Sequence, residues 1–309
     1  MSGAQAAAAA VQAAGGVALS PLVPGLVQTA KARLQGRRGA SPLQPYRELR
    51  RLWRRTPVQP EGAGPVYRAA PAVAVAALAA CVAVVPIAGQ APPWGLGSDA
   101  LALLGLLALA RVAVAAAAWD GGSGFALMGS ARDLTFAVSG EALLALALLL
   151  AALPAGTTDL AAMGDAAAGA GAWGEPAHWC GALALGLVVL LETGRQPIDN
   201  PDTHLELTMV HEGPLLEYAG RDLALLQWAA AARHWVVLAL AADLAVPHPV
   251  EAWPRLAVLA AAIPSLCLVL AVVETWQAKL RLLVVPRLLW AGAGIALLGL
   301  VSWYAGSGA

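Results

Sequence analysis

Long apolar stretches separated by shorter polar segments divide the chain from end to end. The eight apolar stretches are roughly 6–28, 66–88, 96–118, 134–153, 177–191, 223–246, 256–273 and 286–304. A helix of about 20 such residues crosses the hydrocarbon core of a bilayer. The pattern therefore predicts an all-α integral membrane protein with about eight transmembrane helices, which form a single transmembrane domain over residues 1–309.

Composition supports the same class. Hydrophobic residues make up 59% of the chain and charged residues 12%, and the mean hydropathy is +0.68. Soluble domains have about 45–50% and 25% of these residues, so an ordinary soluble enzyme is excluded. The net charge of +0 argues against nucleic acid as a partner. The three cysteines stand singly in apolar stretches, so neither a disulfide framework nor a zinc site is expected.

Basic residues are concentrated in the first loop, 31–65. By the positive-inside rule, this loop and the other odd-numbered loops are cytoplasmic, which places both termini outside. From Pro45 onward the loop predicts a basic amphipathic helix on the cytoplasmic face. This helix either orients the protein and binds anionic lipid, or it forms a docking surface for a soluble partner.

A second loop, 192–222, is acidic. Its acidic residues are Glu192, Asp199, Asp202, Glu206, Glu212, Glu217 and Asp222. The Asn200–Pro201 pair predicts a helix start, and that helix should run to about Glu212. Apolar residues within it indicate that the loop is partly buried in protein. Half-buried carboxylates beside Arg195 have pKa values that the surroundings can shift in either direction.

Two metal-binding patterns in the acidic loop have to be weighed. His204 and His211 are seven residues apart, whereas a zinc-binding helix usually presents histidines four apart, so packing or capping roles are favoured. Asp199, Asp202 and Glu206 are similar to the magnesium–diphosphate motif of intramembrane prenyltransferases. Those enzymes have a second acidic cluster on a later helix, and this sequence has none. The prenyltransferase interpretation is therefore a minor alternative.

Charged residues inside the apolar stretches are a third signal, because each costs on the order of 2.5–3.5 kcal/mol to insert and usually faces a partner or water. Glu141 lies about 11 Å along the fourth stretch at 1.5 Å per residue, and Arg233 is near the middle of the sixth. Either these two form a structural ion pair, or Glu141 is a proton-relay carboxylate. Asp243 is expected to be structural, and Arg111 to extend to the cytoplasmic face.

Motifs in three loops resemble one family. The acidic loop reads ETGRQPIDNP over 192–201 and LEYAG over 216–220. This resembles the signature loop of the NADH dehydrogenase subunit 1 family, a membrane subunit of complex I. The intervening THLELTM and the His211–Glu212 pair resemble its hydrogenase branch, the formate hydrogenlyase subunit 4 and hydrogenase-4 component C type. The first and last cytoplasmic loops match through KAR at 31–33 and AKLR at 278–281.

The resemblance implies roles for particular residues. Proton transfer and coupling are expected at Glu141, Glu192, Arg195, Asp199, Glu206, Glu212 and Glu217. Docking of partners is expected at Lys31, Arg33, Arg37, Arg38, Lys279 and Arg281. The chain itself should bind no cofactor and no metal. A nickel–iron centre and iron–sulfur clusters are expected in its partner subunits.

The same resemblance implies a membrane anchor and ion-translocation or coupling subunit of a nickel–iron hydrogenase or formate hydrogenlyase-type complex in the bacterial plasma membrane. Its partners would be the hydrogenase large and small subunits and antiporter-like membrane subunits. The alternative is a quinone-site subunit of a complex I-like oxidoreductase. Quinone-reducing relatives have an aromatic residue at Ile198 and an acid at His204, so this sequence argues against a quinone. A secondary transporter is disfavoured, because no internal repeat is visible.

Overall fold

The computed structural model describes residues 3–89, 97–199 and 210–307, and these ranges form a bundle of helices. The α-helices in them are α1 (Gly3–Leu19), α2 (Leu22–Leu34), α3 (Gln44–Trp53), α4 (Pro65–Val84), α5 (Ala100–Asp120), α6 (Gly124–Ala155), α7 (Leu160–Ala168), α8 (Pro176–Glu192), α9 (Gly220–Ala245), α10 (Ala252–Trp276) and α11 (Val285–Ser307). Two short 3₁₀ helices span Ala172–Gly174 and Gly213–Leu215. No β-strand forms within the described ranges, and the all-α prediction is confirmed.

Six of these helices, α4, α5, α6, α9, α10 and α11, are long and apolar enough to cross a membrane. The first predicted stretch is divided between α1 and α2, which are bent by 54° at a break and count as one broken span or a re-entrant segment. Pro21 occupies this break, where its missing N–H prevents a continuous helical hydrogen-bond ladder. The fifth stretch is α8, which has 17 residues and is apolar but shorter. The placement of both termini outside stays a prediction.

Helix α6 begins ten residues earlier than the apolar pattern indicated. It starts at Gly124 and has 32 residues, which at 1.5 Å per residue gives a length of roughly 48 Å. The hydrocarbon core is only about 30 Å thick, so this helix extends beyond it. Asp133 therefore lies on the helix and not in a loop.

The predicted amphipathic helix of the first loop is present as α3. Leu52 is buried, and α3 packs against α9. The Tyr46 hydroxyl donates a hydrogen bond to the Ala18 carbonyl at 2.6 Å, and the Arg221 guanidinium donates to the Trp53 carbonyl at 3.4 Å. These contacts hold α3 between the α1–α2 bend and the start of α9.

The loops predicted to be cytoplasmic meet at one end of the bundle. Lys31 at the end of α2 contacts Glu274 at the end of α10, and Lys279 of the last loop contacts Asp199 of the acidic loop. At the other end, Arg255 of α10 forms a fully buried ion pair with Asp243 of α9 at 2.7 Å. A buried ion pair between two helices is what the structural role expected for Asp243 requires.

Candidate functional site

A cavity of about 620 Å³ opens at the end of the bundle where the loops meet. Helices α2, α3, α4, α5, α6 and α9, together with parts of the acidic loop, form its walls. Its charged or titratable lining residues are Glu48, Arg111, Asp133, Glu192, Arg195, Asp199, His211, Glu212, Tyr218, Arg233 and His234. Charges of both signs thus surround one internal space, which also has apolar walls.

Glu192 lies at the centre of the first charged group. Both of its carboxylate oxygens accept from Arg111 Nη2, at 2.5 and 2.6 Å, and one also accepts from Arg233 Nη1 at 2.9 Å. Glu192 and Arg111 are each 4% exposed. Of the two alternatives for Glu141, the ion pair with Arg233 is not the one that the structure has, because Arg233 is paired with Glu192 and Glu141 lies nearest to Arg111. The Arg111 guanidinium is paired with the Glu192 carboxylate in the cavity, at the end of the bundle where the loops predicted to be cytoplasmic meet.

Glu141 is the outermost member of this group. Its carboxylate is 3.9 Å from Arg111 Nε, and its side chain is 36% exposed. It lies on α6, one of the helices able to cross a membrane. Glu141 is therefore the most exposed member of this group, next to the buried Glu192–Arg111 pair.

A second charged group joins the acidic loop to the first and last loops. Glu274 accepts from Lys31 at 2.8 Å and from Arg195 at 3.3 Å, and Asp199 accepts from Lys279 at 2.8 Å. These contacts join the last loop to the acidic loop. Lys31 is only 7% exposed, because its ammonium is paired with the buried Glu274; its role in docking stays a prediction.

His211 is a site residue that the sequence reasoning missed. Its Nδ1 is 3.6 Å from Asp199 and its Nε2 is 3.7 Å from Asp133. Burial lowers the pKa of His211, but the two carboxylates raise it by more, so it lies above its ordinary value of 6.5. Burial raises the pKa of Asp199, but the contacts with His211 and Lys279 lower it by more. The pKa of Asp199 is therefore about 2, below its ordinary value. From the sequence, His211 is weighed only as a zinc ligand, with packing or capping favoured, and the other signal is its position beside Glu212 in the family-like motif.

Two tyrosines fasten the end of the acidic loop to α4. The rings of Tyr67 and Tyr218 are stacked, with centroids 4.2 Å apart and planes 4° from parallel. The Tyr67 hydroxyl donates to the Glu217 carbonyl at 2.8 Å, and the Tyr218 hydroxyl donates to the Tyr67 carbonyl at 2.8 Å. The Tyr67 amide donates to Asp120 at 2.8 Å. This reciprocal arrangement fixes the backbone on either side of Glu217.

The remaining predicted residues fall in several places. Glu212 lines the cavity, whereas Glu217 is half-buried beside it and is not among its described lining residues. Glu206 lies outside the described residues, as does most of the helix predicted from Pro201. The described end of that helix, 210–212, is a bend and not helical. The exposed residues of the predicted docking set are Arg33, Arg37, Arg38 and Arg281.

Metal binding finds no support in the described part of the chain. Within residues 3–89, 97–199 and 210–307, no group of three or more histidine, cysteine, aspartate or glutamate side chains is arranged to hold a metal ion. Two of the three acidic residues in the prenyltransferase-like pattern, Asp202 and Glu206, lie outside those ranges.

The fold and the site define a multi-span helical membrane protein with a charged internal cavity at one end. The chain belongs to the NADH dehydrogenase family, whose sequence profile matches residues 8–305. This confirms the resemblance found in the loops.

Two relatives from Escherichia coli (strain K12) match nearly the whole chain. Formate hydrogenlyase subunit 4 is 33% identical over 301 residues, which cover 92% of this chain and 94% of that protein. Hydrogenase-4 component C is 32% identical over 296 residues, which cover 93% and 92%. The fold is also that of a chain in the membrane-bound sulfane sulfur reductase, an archaeal respiratory membrane complex, with a TM-score of 0.81. The reductase chain is 19% identical to this one, and the match covers 95% of this chain and 97% of the reductase chain.

Proposed function

We propose that this chain is the membrane anchor and charge-coupling subunit of a nickel–iron hydrogenase or formate hydrogenlyase-type complex in the bacterial plasma membrane. Its partners are the hydrogenase large and iron–sulfur subunits at the cytoplasmic end and antiporter-like subunits within the bilayer. The names of the two Escherichia coli relatives support this type of complex. The partners carry the redox centres, while this chain contributes electrostatics and proton transfer.

The observation that carries the proposal is a series of charged side chains leading from the loops to the surface of a membrane helix. Asp199 and Glu192 both line the cavity. Glu192 then contacts Arg111 at 2.5 Å, and Arg111 approaches Glu141 at 3.9 Å. Because Glu192, Arg111 and Glu141 are within reach of one another's charge, a change in charge at the cavity end of this series alters the protonation equilibrium at Glu141.

The exposure of Glu141 indicates where the series leads. A charged side chain at membrane depth costs on the order of 2.5–3.5 kcal/mol and is found facing a partner or water. The Glu141 side chain is 36% exposed on the surface of this chain. A neighbouring subunit that covers this part of α6 would remove the carboxylate from lipid and receive its proton.

Coupling begins at the loops in this proposal. The pKa of Asp199 is about 2 because Lys279 and His211 offset its burial, so the carboxylate is ionised at rest. Redox turnover in a docked arm that pulls Lys279 away would raise this pKa and favour proton uptake. The extra positive charge would then shift the equilibria at Glu192 and Glu141. The exposed Arg33, Arg37, Arg38 and Arg281 provide a docking surface for that arm.

The first test is to purify the tagged chain from its native membrane in mild detergent and identify the co-purifying proteins by mass spectrometry. Recovery of a nickel–iron large subunit, an iron–sulfur subunit and antiporter-like chains is expected. Recovery of quinone-reductase subunits instead would replace the proposal with a complex I-like enzyme. A chain that purifies alone would contradict both and return attention to the prenyltransferase alternative.

The second test separates coupling from assembly. Glu141→Gln keeps the side-chain shape and removes the charge, so redox turnover should lose its link to ion transport in inverted membrane vesicles. Glu251→Gln is the matched control, because Glu251 is exposed near the opposite end of the bundle. Normal ion transport by an assembled Glu141→Gln complex would contradict the relay.

A second candidate function is a quinone site. The cavity volume of about 620 Å³ falls in the range of small-molecule sites, which are mostly apolar with a few polar groups. Pro21, Pro24, Leu49 and Leu226 give the cavity apolar walls beside its charged end. Solvent extraction of the purified complex, followed by chromatography for quinones, distinguishes this candidate from the hydrogenase proposal.

A further inference from the structure

His211 occupies an unusual position between two carboxylates from different elements. Asp199 lies on its Nδ1 side at 3.6 Å, and Asp133 of α6 lies on its Nε2 side at 3.7 Å. Both ring nitrogens are buried, and neither has a hydrogen-bond partner among the described residues. Both distances are slightly longer than a hydrogen bond, so a small movement of the ring closes one contact and opens the other.

Close backbone packing brings His211 to this position. Gly129 of α6 and Gly213 meet so closely that a Cβ added at Gly129 would lie 2.7 Å from the Gly213 Cα. A Cβ at Gly194 would lie 3.0 Å from His211 Nδ1, and Gly194 has a φ of +58°. Glycines therefore allow the 210–213 segment to lie against α6 on one side and against the acidic loop on the other. The imidazole is held between them.

The surroundings of His211 contain charges of both signs. The groups that face it are Asp133 on α6, Arg111 on α5, Asp199 on the acidic loop and His234 on α9, with Lys279 of the last loop behind Asp199 and Glu212 adjacent in the chain. Asp133 and Asp199 are close enough to stabilise the imidazolium, while Arg111 opposes it. Groups that favour the imidazolium and groups that oppose it therefore act on the same ring.

We propose that His211 is a proton carrier that transfers protons between Asp199 of the acidic loop and Asp133 on α6. The inference deepens the proposed function, on which it rests. His211 would carry protons from the acidic loop, which responds to the docked arm, to α6, the helix that holds Glu141. Asp133 and Glu141 are eight residues apart on α6, which is about 12 Å along the axis at 1.5 Å per residue, and Arg111 interacts electrostatically with both.

The transfer balances without any added reactant. Protonated Asp199 gives its proton to Nδ1 of the neutral imidazole, so an O–H bond breaks and an N–H bond forms. The resulting imidazolium releases the proton on Nε2 to the Asp133 carboxylate, so an N–H bond breaks and an O–H bond forms. The ring returns to its starting tautomer by rotation or by proton exchange with water in the cavity. No electron moves in either step.

The test uses the assembled complex in inverted membrane vesicles, in which redox turnover and ion transport are measured together. His211→Ala should slow coupled turnover by roughly 100-fold, within the usual range for removing a general acid–base group. Added imidazole should restore a large part of the lost activity, because the cavity of about 620 Å³ has room for it. Rescue by imidazole is a readout that a purely structural histidine does not give.

Two further variants keep the test decisive. His178→Ala is the matched control, since His178 packs among Trp173 and Trp179 away from the cavity. It should keep full activity and show no response to imidazole. The His211→Gln complex should assemble normally. Its rate of coupled turnover, plotted against pH, should lack the rise or fall that the titration of a histidine produces.

The outcomes separate this inference from the function on which it rests. Full coupled turnover in His211→Ala, or an assembled variant that imidazole does not rescue, overturns the role of His211. If Glu141→Gln at the same time abolishes coupling, the relay stands and only its His211 step fails. If Glu141→Gln also leaves coupling intact, the proposed function fails.

Discussion

Replacing Glu192 by glutamine is expected to destabilise the folded protein more than any other single loss of charge in the cavity. Two arginines, Arg111 and Arg233, face two glutamates in this group, and Glu192 contacts both arginines at 2.5 and 2.9 Å. The substitution leaves two guanidinium groups with one remaining carboxylate. That carboxylate, Glu141, is partly exposed and 3.9 Å from the nearer arginine, so it cannot compensate fully.

The magnitude follows from the burial of the group. The side chains of Glu192 and Arg111 are both 4% exposed, and removing one partner of a buried pair typically costs about 3–5 kcal/mol. The open cavity beside the pair admits water and lowers the penalty. We therefore expect Glu192→Gln to reduce the free energy of unfolding by about 3 kcal/mol, at the lower end of that range.

The assay is denaturant unfolding of the purified protein in detergent micelles, followed by tryptophan fluorescence. A double-mutant cycle with Arg233→Gln isolates the pair interaction, since contacting residues show coupling energies of about 0.5–3 kcal/mol. The double variant should be more stable than the sum of the two single losses implies. A loss below about 0.5 kcal/mol for Glu192→Gln, with additive single effects, would refute the electrostatic reasoning.

Three other perturbations test different parts of the structure. His211→Gln should lower the free energy of unfolding more at about pH 6 than at about pH 9, because a group with a raised folded pKa contributes its stability below the unfolded pKa and loses it as pH rises through the folded pKa. Gly129→Ala should cost about 1–3 kcal/mol in the same unfolding assay, because its new methyl group would contact Gly213 at 2.7 Å. Asp243→Ala should cost about 3 kcal/mol, at the lower end of the range for breaking a buried pair, since the fully buried Arg255 loses its 2.7 Å partner but keeps its contact with Asp165.

Each of these predictions has a simple control. A pH-independent effect of His211→Gln would contradict the raised pKa of that histidine. Gly105→Ala is matched to Gly129→Ala, because Gly105 is also helical but has no atom within 4 Å of the added position. It should be neutral or stabilising by about 0.5–1 kcal/mol, and equal losses in the two variants would argue against the steric contact. An unchanged stability of Asp243→Ala would contradict the importance of the buried pair.

Hydropathy alone located the membrane helices but not their breaks. Each apolar stretch became one helix except the first, in which Pro21 separates α1 from α2. The pattern also missed the first turns of α6, because the short segment before residue 134 holds Arg132 and Asp133 and is only moderately apolar. Average apolarity over a window cannot detect a single break or a helix that continues beyond the bilayer core.

Which charged residues pair was decided by the tertiary structure. The sequence shows that Glu141, Arg233 and Arg111 lie within apolar stretches, where each needs a partner. The choice of partner depends on which helix faces meet. Here both arginines, Arg111 and Arg233, contact Glu192. The same reasoning applies to Lys31, whose partner is 243 positions away in the chain.

The sequence by itself determined the class of this protein, its long apolar helices, its amphipathic α3 and the loops that gather the charged residues. These features follow from local composition and periodicity, which act within one helix or one loop. The tertiary structure decided the cavity, the position of His211 between two carboxylates and the contacts of Arg111 with Glu192 and Glu141. Such features arise only when several elements pack together, because a side chain's charge is balanced by neighbours in space and not by neighbours in sequence.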